Sequence, residues 1–124
     1  KKESIAVVNQ LNFKRWITVD RNQMEQVLIN LLTNSMYALE GKDQREISIS
    51  AELKEKRLYL IITDTGAGIE PEIEDKIFLP FFTTRKDGAG IGLTLSKNII
   101  EAHGGYLAFE NGENGTKFTV CLLE

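Results

Sequence analysis

The chain has 124 residues, 42% hydrophobic and 27% charged, which are values of an ordinary globular domain and exclude a disordered tail or a fibrous repeat. Lys and Arg number 15 against 18 Asp and Glu, and the net charge of −3 leaves no basic excess to neutralise a nucleic-acid backbone. A single cysteine excludes an internal disulfide, a single histidine argues against a His-rich metal site, and no apolar run approaches the ~18 residues of a membrane span. The opening Lys1-Lys2-Glu3, without an initiator Met, reads as a fragment of something longer, with residues 1–124 forming one domain.

Residues 5–11 and 16–19 are β-prone and read as two short strands or a hairpin. Asp20 follows as a helix N-cap, with Gln23 placed to complete a capping box. Apolar residues then recur at Met24, Val27, Leu28, Leu31, Leu32, Met36 and Leu39, which predicts a long helix ended by Gly41-Lys42-Asp43. Residues 47–53 alternate apolar and polar, as a half-buried strand does. Residues 58–63 form a denser apolar run suited to a central strand, with a turn at Lys54-Glu55-Lys56. Residues 64–90 hold both prolines and read as a long functional loop with one short helix near 71–77. A second helix is predicted over 91–102, with Ile91, Leu95, Ile99 and Ala102 on its buried face and His103-Gly104-Gly105 ending it. Residues 106–110 and 116–123 close the chain as a hairpin around 111–115, with Cys121 in its core.

Four features carry chemistry. On the first helix Gln26, Asn30 and Asn34 lie four apart, so each step turns only ~40° and the carboxamides stack on one face. A neutral carboxamide oxygen suits Mg²⁺ shared with nucleotide phosphates, although a plain solvent face has the same pattern. Asp64-Thr65-Gly66-Ala67-Gly68-Ile69 follows an apolar strand. There a carboxylate can accept from an amino group while the glycines let backbone pass a flat ring; the alternative is a simple turn. Gly88-Ala89-Gly90-Ile91-Gly92-Leu93 opens the second helix, where free N–H groups and the dipole favour a polyphosphate. It is neither a dinucleotide fingerprint nor a Walker loop. Between them, residues 77–86 hold three aromatics that can pin a loop, followed by hydroxyls and cations that can reach a terminal phosphate.

Taken together and in this order, these features resemble the catalytic and ATP-binding domain of bacterial sensor histidine kinases. That domain belongs to the wider fold family of gyrase, the Hsp90 chaperones and the MutL proteins. Residues 26–39 resemble the N box, 64–69 the first glycine box, 78–82 the F box and 88–93 the second glycine box. Asn114-Gly115-Thr116 resembles the closing Gly-Thr element, and the Pro-Phe-Phe-Thr-Thr-Arg lid resembles nitrogen-regulation and sporulation kinases.

The resemblance implies a two-layer α/β sandwich. A mixed, largely antiparallel sheet is covered on one face by the two helices, with ATP between them under a mobile lid. It implies that Asn34 ligates Mg²⁺, Asn30 supports metal or phosphates, and Asp64 holds the adenine amine. Gly66, Gly68 and Ile69 flank the base, and Thr116 assists through its hydroxyl. Gly88, Gly90, Gly92 and Leu93 contact the phosphates; Tyr37, Phe82, Thr84 and Arg85 line the phosphate end, Arg85 toward the γ-phosphate. Hydrolysing cousins carry a Glu base four residues before the metal-binding Asn, where this chain has Asn30. The helical neighbours of Asn34 are Asn30, Leu31, Tyr37 and Ala38, and none is a carboxylate that can activate water. The implied reaction is therefore transfer to a histidine on a separate dimerisation and phosphoacceptor domain. A response regulator lies downstream, and the full-length protein is a homodimer. The implied location is cytoplasmic, whether or not the full protein is anchored in the inner membrane; this fragment itself makes no membrane contact. His103 reads as a helix terminator and Trp16 as packing.

Overall fold

The computed structural model describes residues 6–9, 19–39, 41, 46–66, 68–69, 71–79, 92–112 and 115–123. Its elements are β1 (Ala6–Asn9), α1 (Arg21–Ala38), β2 (Glu46–Lys54), β3 (Arg57–Asp64), a short 3₁₀ helix (Pro71–Lys76), α2 (Gly92–Ala102), β4 (Tyr106–Gly112) and β5 (Gly115–Leu123). The strands form one sheet in the order β1-β2-β3-β5-β4, antiparallel except for β1–β2. The two helices lie against each other and on the sheet, which is the expected two-layer sandwich. The run read as a central strand is β3, in the middle of the sheet.

Of the two N-terminal stretches read as short strands or a hairpin, the first forms β1. β1 pairs in parallel with β2, with Ala6 opposite Glu46 and Asn9 opposite Ile49. Parallel strands need a crossover connection, and α1 lies in the connection between them. Residues 16–18 and the helix-ending pair 42–43 lie outside the described residues. So do residues 80–91, which include the second half of the lid expected over 70–90, and the turn residues 113–114.

In α1 the buried residues are Val27, Leu31 and, unexpectedly, Ser35, joined by Leu39 at the C-cap, while Met36 is 52% exposed. The cause is angular: Ser35 lies about 40° round from Leu31 and Met36 about 140°. In α2 the buried arc is Ser96, Ile99 and Ile100, and Leu95 is 41% exposed. That arc lies on the opposite side of Ile99 from the predicted one. Apolar residues flank Ile99 on both sides, and contact with α1 selects between them. Opposite the helices, Ile62 of β3 pairs with Phe118 of β5, and Leu107 of β4 with Val120. Each fully buried side chain of this kind contributes about 1.5–3 kcal/mol.

The ends of the elements are set by local chemistry. The Asp20 Oδ1 accepts the Gln23 N–H at 2.9 Å, as an N-cap does. The second half of the predicted box is made by another helix: the Asp20 N–H donates to His103 Nε2 at 3.0 Å. His103 Nδ1–H in turn donates to the Ile99 carbonyl at 2.8 Å, so the ring is the neutral Nδ1–H tautomer. Gly104, at φ +81°, and Gly105 close α2 with N–H bonds to the Glu101 and Ile100 carbonyls, both 3.0 Å. That is the Schellman arrangement. The β2–β3 turn places Glu55 and Lys56 at φ 53° and 65°, the paired left-handed turn whose twist suits a hairpin.

Candidate functional site

Asp64 ends β3 on the same side as Ile62, so its carboxylate points into the layer between sheet and helices. The residue is 6% exposed. Burial pushes its pKa up from the ordinary 3.8, partly offset by the Gly66 and Thr116 N–H groups and the Ser35 hydroxyl. The Gly66 N–H donates to Oδ1 at 2.9 Å. Ser35 is fully buried beside this carboxyl, yet its hydroxyl reaches full hydrogen-bond geometry with no described group. A buried carboxylate with spare acceptor capacity, and a buried hydroxyl only loosely engaged beside it, fit a planar ligand bearing an amino group.

The glycines here serve different ends. A side chain on Gly66 would strike the Ala38 carbonyl, and one on Gly115 (φ +139°) the Asp64 carbonyl, so packing alone requires both. A Cβ on Gly92 would meet nothing nearer than Asn30 Cγ at 3.6 Å, which is ordinary contact. The bare backbone at the start of α2 is therefore not demanded by described neighbours. That fits a ligand approaching the free N–H groups of the first helical turn.

Asn34 and Ser35 are neighbours on α1, so the metal-ligand candidate and the wall of the Asp64 pocket come from one helical turn. Asn34 Nδ2 donates to the Asn30 carbonyl at 2.9 Å, and among the described residues nothing donates to its Oδ1. A carboxamide held by its nitrogen with its oxygen unengaged fits a hard cation. Asn30 is differently placed. Its Nδ2 donates to the Gly92 carbonyl at 3.1 Å and to Ser96 Oγ at 3.2 Å, and its Oδ1 accepts from Gln26 Nε2 at 2.8 Å. The stacked carboxamides are therefore not an idle solvent face.

The loop after Asp64 is tied to the far edge of the sheet. The Ile69 N–H donates to Asn111 Oδ1 at 2.6 Å; Asn111 Nδ2 donates to the Ile69 carbonyl and to Glu74 Oε1. Gly68 beside it takes φ +78°. Past the 3₁₀ helix, Phe78 meets Phe109 edge-on at 6.2 Å, and Thr94 Oγ1 donates to the Phe78 carbonyl at 2.5 Å. The expected pinning of this segment by an aromatic is thus met at Phe78. Thr116 is buried beside Asp64, Leu93 is half-buried in the first turn of α2, and Tyr37 is partly exposed one turn beyond Asn34. Phe82, Thr84, Arg85, Gly88 and Gly90 lie outside the described residues. Ser35 and Ser96 carry no role in the sequence, and Asn111, expected in the closing turn, lies in β4 and ties down the Ile69 loop. The available signal for the two serines was a small polar residue standing within an apolar helical stripe.

Residues 19–124 match the family described as histidine kinase-, DNA gyrase B-, and HSP90-like ATPase. The chain is 41% identical to the sensor histidine kinase ZraS of Salmonella typhimurium over 86% of its own length and 23% of that protein's. It is 34% identical to the sensory histidine kinase/phosphatase NtrB of Vibrio alginolyticus, over 86% of the chain and 33% of NtrB. The chain thus spans a third or less of the length of these relatives. The nucleotide-free catalytic domain of the histidine kinase ThkA superposes with a TM-score of 0.84 at 33% identity, covering 96% of this chain and 80% of that one.

Proposed function

The chain belongs to the family of histidine kinase-, DNA gyrase B- and HSP90-like ATPases, and on that premise we propose that it is the ATP-binding catalytic domain of a two-component sensor kinase. It hands the γ-phosphoryl group of Mg-ATP to a histidine on a separate dimerisation domain, from which a response regulator takes it. The full-length protein works as a cytoplasmic-facing homodimer. The observation that carries this reading is the buried Asp64 carboxylate at the end of β3, with the buried Ser35 hydroxyl of α1 beside it. Burial raises the pKa of this carboxyl and so disfavours its charged form, a cost that a ligand amino group offsets.

ATP supplies the transferable group and Mg²⁺ the charge that screens it. The chain's own residues bind and orient. Asp64 accepts from the adenine amine, Thr116 supports it, and Gly66, Gly68 and Ile69 bound the base. Asn34 offers its Oδ1 to the metal, and Asn30 braces Asn34 from behind. Gly92 and Leu93 present N–H groups to the phosphates, joined by Gly88 and Gly90. Tyr37, Phe82, Thr84 and Arg85 complete the phosphate end. No carboxylate lies one turn from Asn34 on α1, so α1 supplies no base for water and the bound nucleotide waits for an external nucleophile. The only histidine, His103, is committed to the Asp20 and Ile99 backbone.

The test is calorimetric titration with AMP-PNP and Mg²⁺, beside Asp64→Asn. Loss of a charged hydrogen bond of about 1.5–3 kcal/mol predicts roughly 10- to 150-fold weaker binding. A folded chain that binds no adenine nucleotide would sink the reading.

A further inference from the structure

Ser96 of α2 is fully buried, polar, and part of no box in the sequence. Its one described partner is the Asn30 carboxamide, which spends both Nδ2 protons on α2, one on Ser96 Oγ and one on the Gly92 carbonyl. Gly92 and Ser96 are one helical turn apart, so Asn30 grips the first turn of α2 at both ends. From its own side Asn30 is held by Gln26, and its carbonyl receives Asn34 Nδ2. Asn30 therefore links Asn34 to the N-terminal turn of α2, its backbone carbonyl accepting from Asn34 and its side chain donating to α2, while among the described residues nothing donates to Asn34 Oδ1.

We propose that Ser96 is a positioning residue for the phosphate end of the site: through Asn30 it fixes the separation between the Asn34 oxygen and the N–H groups that open α2. This rests on the Mg-ATP reading above. A cation bridging Asn34 and a phosphate tolerates little error in that separation, because Mg²⁺ demands near-ideal octahedral geometry. The adenine end, built on Asp64 and Ser35, does not share the bracket. Removing the Ser96 hydroxyl also leaves one partly buried Asn30 Nδ2 proton without its acceptor, so the bracket loses one of its two attachments to α2.

The experiment measures AMP-PNP affinity with Mg²⁺ and with EDTA, for the unaltered chain, Ser96→Ala and Ser96→Thr, with thermal midpoints alongside. Ser96→Ala is expected to cut the Mg²⁺-dependent gain in affinity about 5-fold, as loss of one neutral hydrogen bond predicts, while the EDTA value stays within about 2-fold. Ser96→Thr, which keeps the hydroxyl, restores the gain. Equal losses with and without Mg²⁺, or no loss at all, would overturn the assignment and leave Ser96 as packing. If Ser96→Ala does not fold, Gln26→Ala loosens the bracket from an exposed position, and an unchanged Mg²⁺ gain there overturns it equally. Absence of any nucleotide binding by the unaltered chain would instead remove the Mg-ATP reading, and the bracket's role with it.

Discussion

Burial disfavours the charged form of Asp64, which gives a stability test separate from binding. Its folded pKa is raised above 3.8. Between 3.8 and the folded value the native state keeps a proton that the unfolded chain has released. Stability contributed by this group therefore falls as pH rises through that window. Asp64→Asn removes the effect, so its thermal midpoint at neutral pH should equal or exceed that of the unaltered chain even as nucleotide affinity drops. Thermal midpoints of both chains across the acid range would check this, and the gap should open as pH rises from about 3.8. At Gly66 and Gly92 the consequences also part. Gly66→Ala drives a methyl into the Ala38 carbonyl and should destabilise by about 1–3 kcal/mol. Gly92→Ala finds room, so its midpoint should hold while affinity for AMP-PNP falls. Asp64 was legible in sequence because it ends an apolar strand before two glycines. The need for Gly66 was not, because its clash partner lies on α1.

Helices α1 and α2 run antiparallel, joined by Asn30 at one level and by His103 near the start of α1. The second join decides which residue completes the α1 cap. His103→Ala removes the acceptor for the Asp20 N–H and should cost about 1 kcal/mol, or roughly 3–6 °C for a domain of this size, with nucleotide affinity unchanged. Gln23→Ala should leave the midpoint almost where it was, because Gln23 contributes its backbone N–H rather than its side chain. Differential scanning fluorimetry on the two variants separates these cases. Helical periodicity predicted both helices within a residue or two, yet it placed Leu95 inside and left Ser96 unremarked. An apolar stripe on either side of Ile99 satisfies periodicity, and only the neighbouring helix chooses.

For the molecule as a whole, the single histidine is occupied as a cap and α1 carries no base for water beside Asn34. The chain alone should therefore accumulate neither phosphohistidine nor appreciable steady hydrolysis. Mixing it with a helical dimerisation domain bearing an acceptor histidine should produce acid-labile phosphate on that domain, read by radiolabel transfer from γ-labelled ATP. Steady release of inorganic phosphate by the isolated chain would contradict the transfer reading and favour an ATPase-driven clamp. Among the described residues no helix is long and apolar enough to cross a membrane.

Features that depend on near neighbours are readable from the residues alone. The two helices, the β2–β3 turn, the glycine stop after α2 and the alternation of β2 all follow from contacts within a few residues. So does the order of the boxes, which is what made the family resemblance legible. The tertiary structure alone decided the pairings of distant residues: the parallel seat of β1 on β2, the burial of Ser35 beside Asp64, and the Asn30–Ser96 bracket. It also decided the Asn111 tie to Ile69 and the His103 cap on Asp20. These pairs lie from tens to 83 residues apart in the chain. Periodicity records which face of an element is apolar, but a polar residue's partner is fixed only when two such faces meet and every buried donor must find an acceptor.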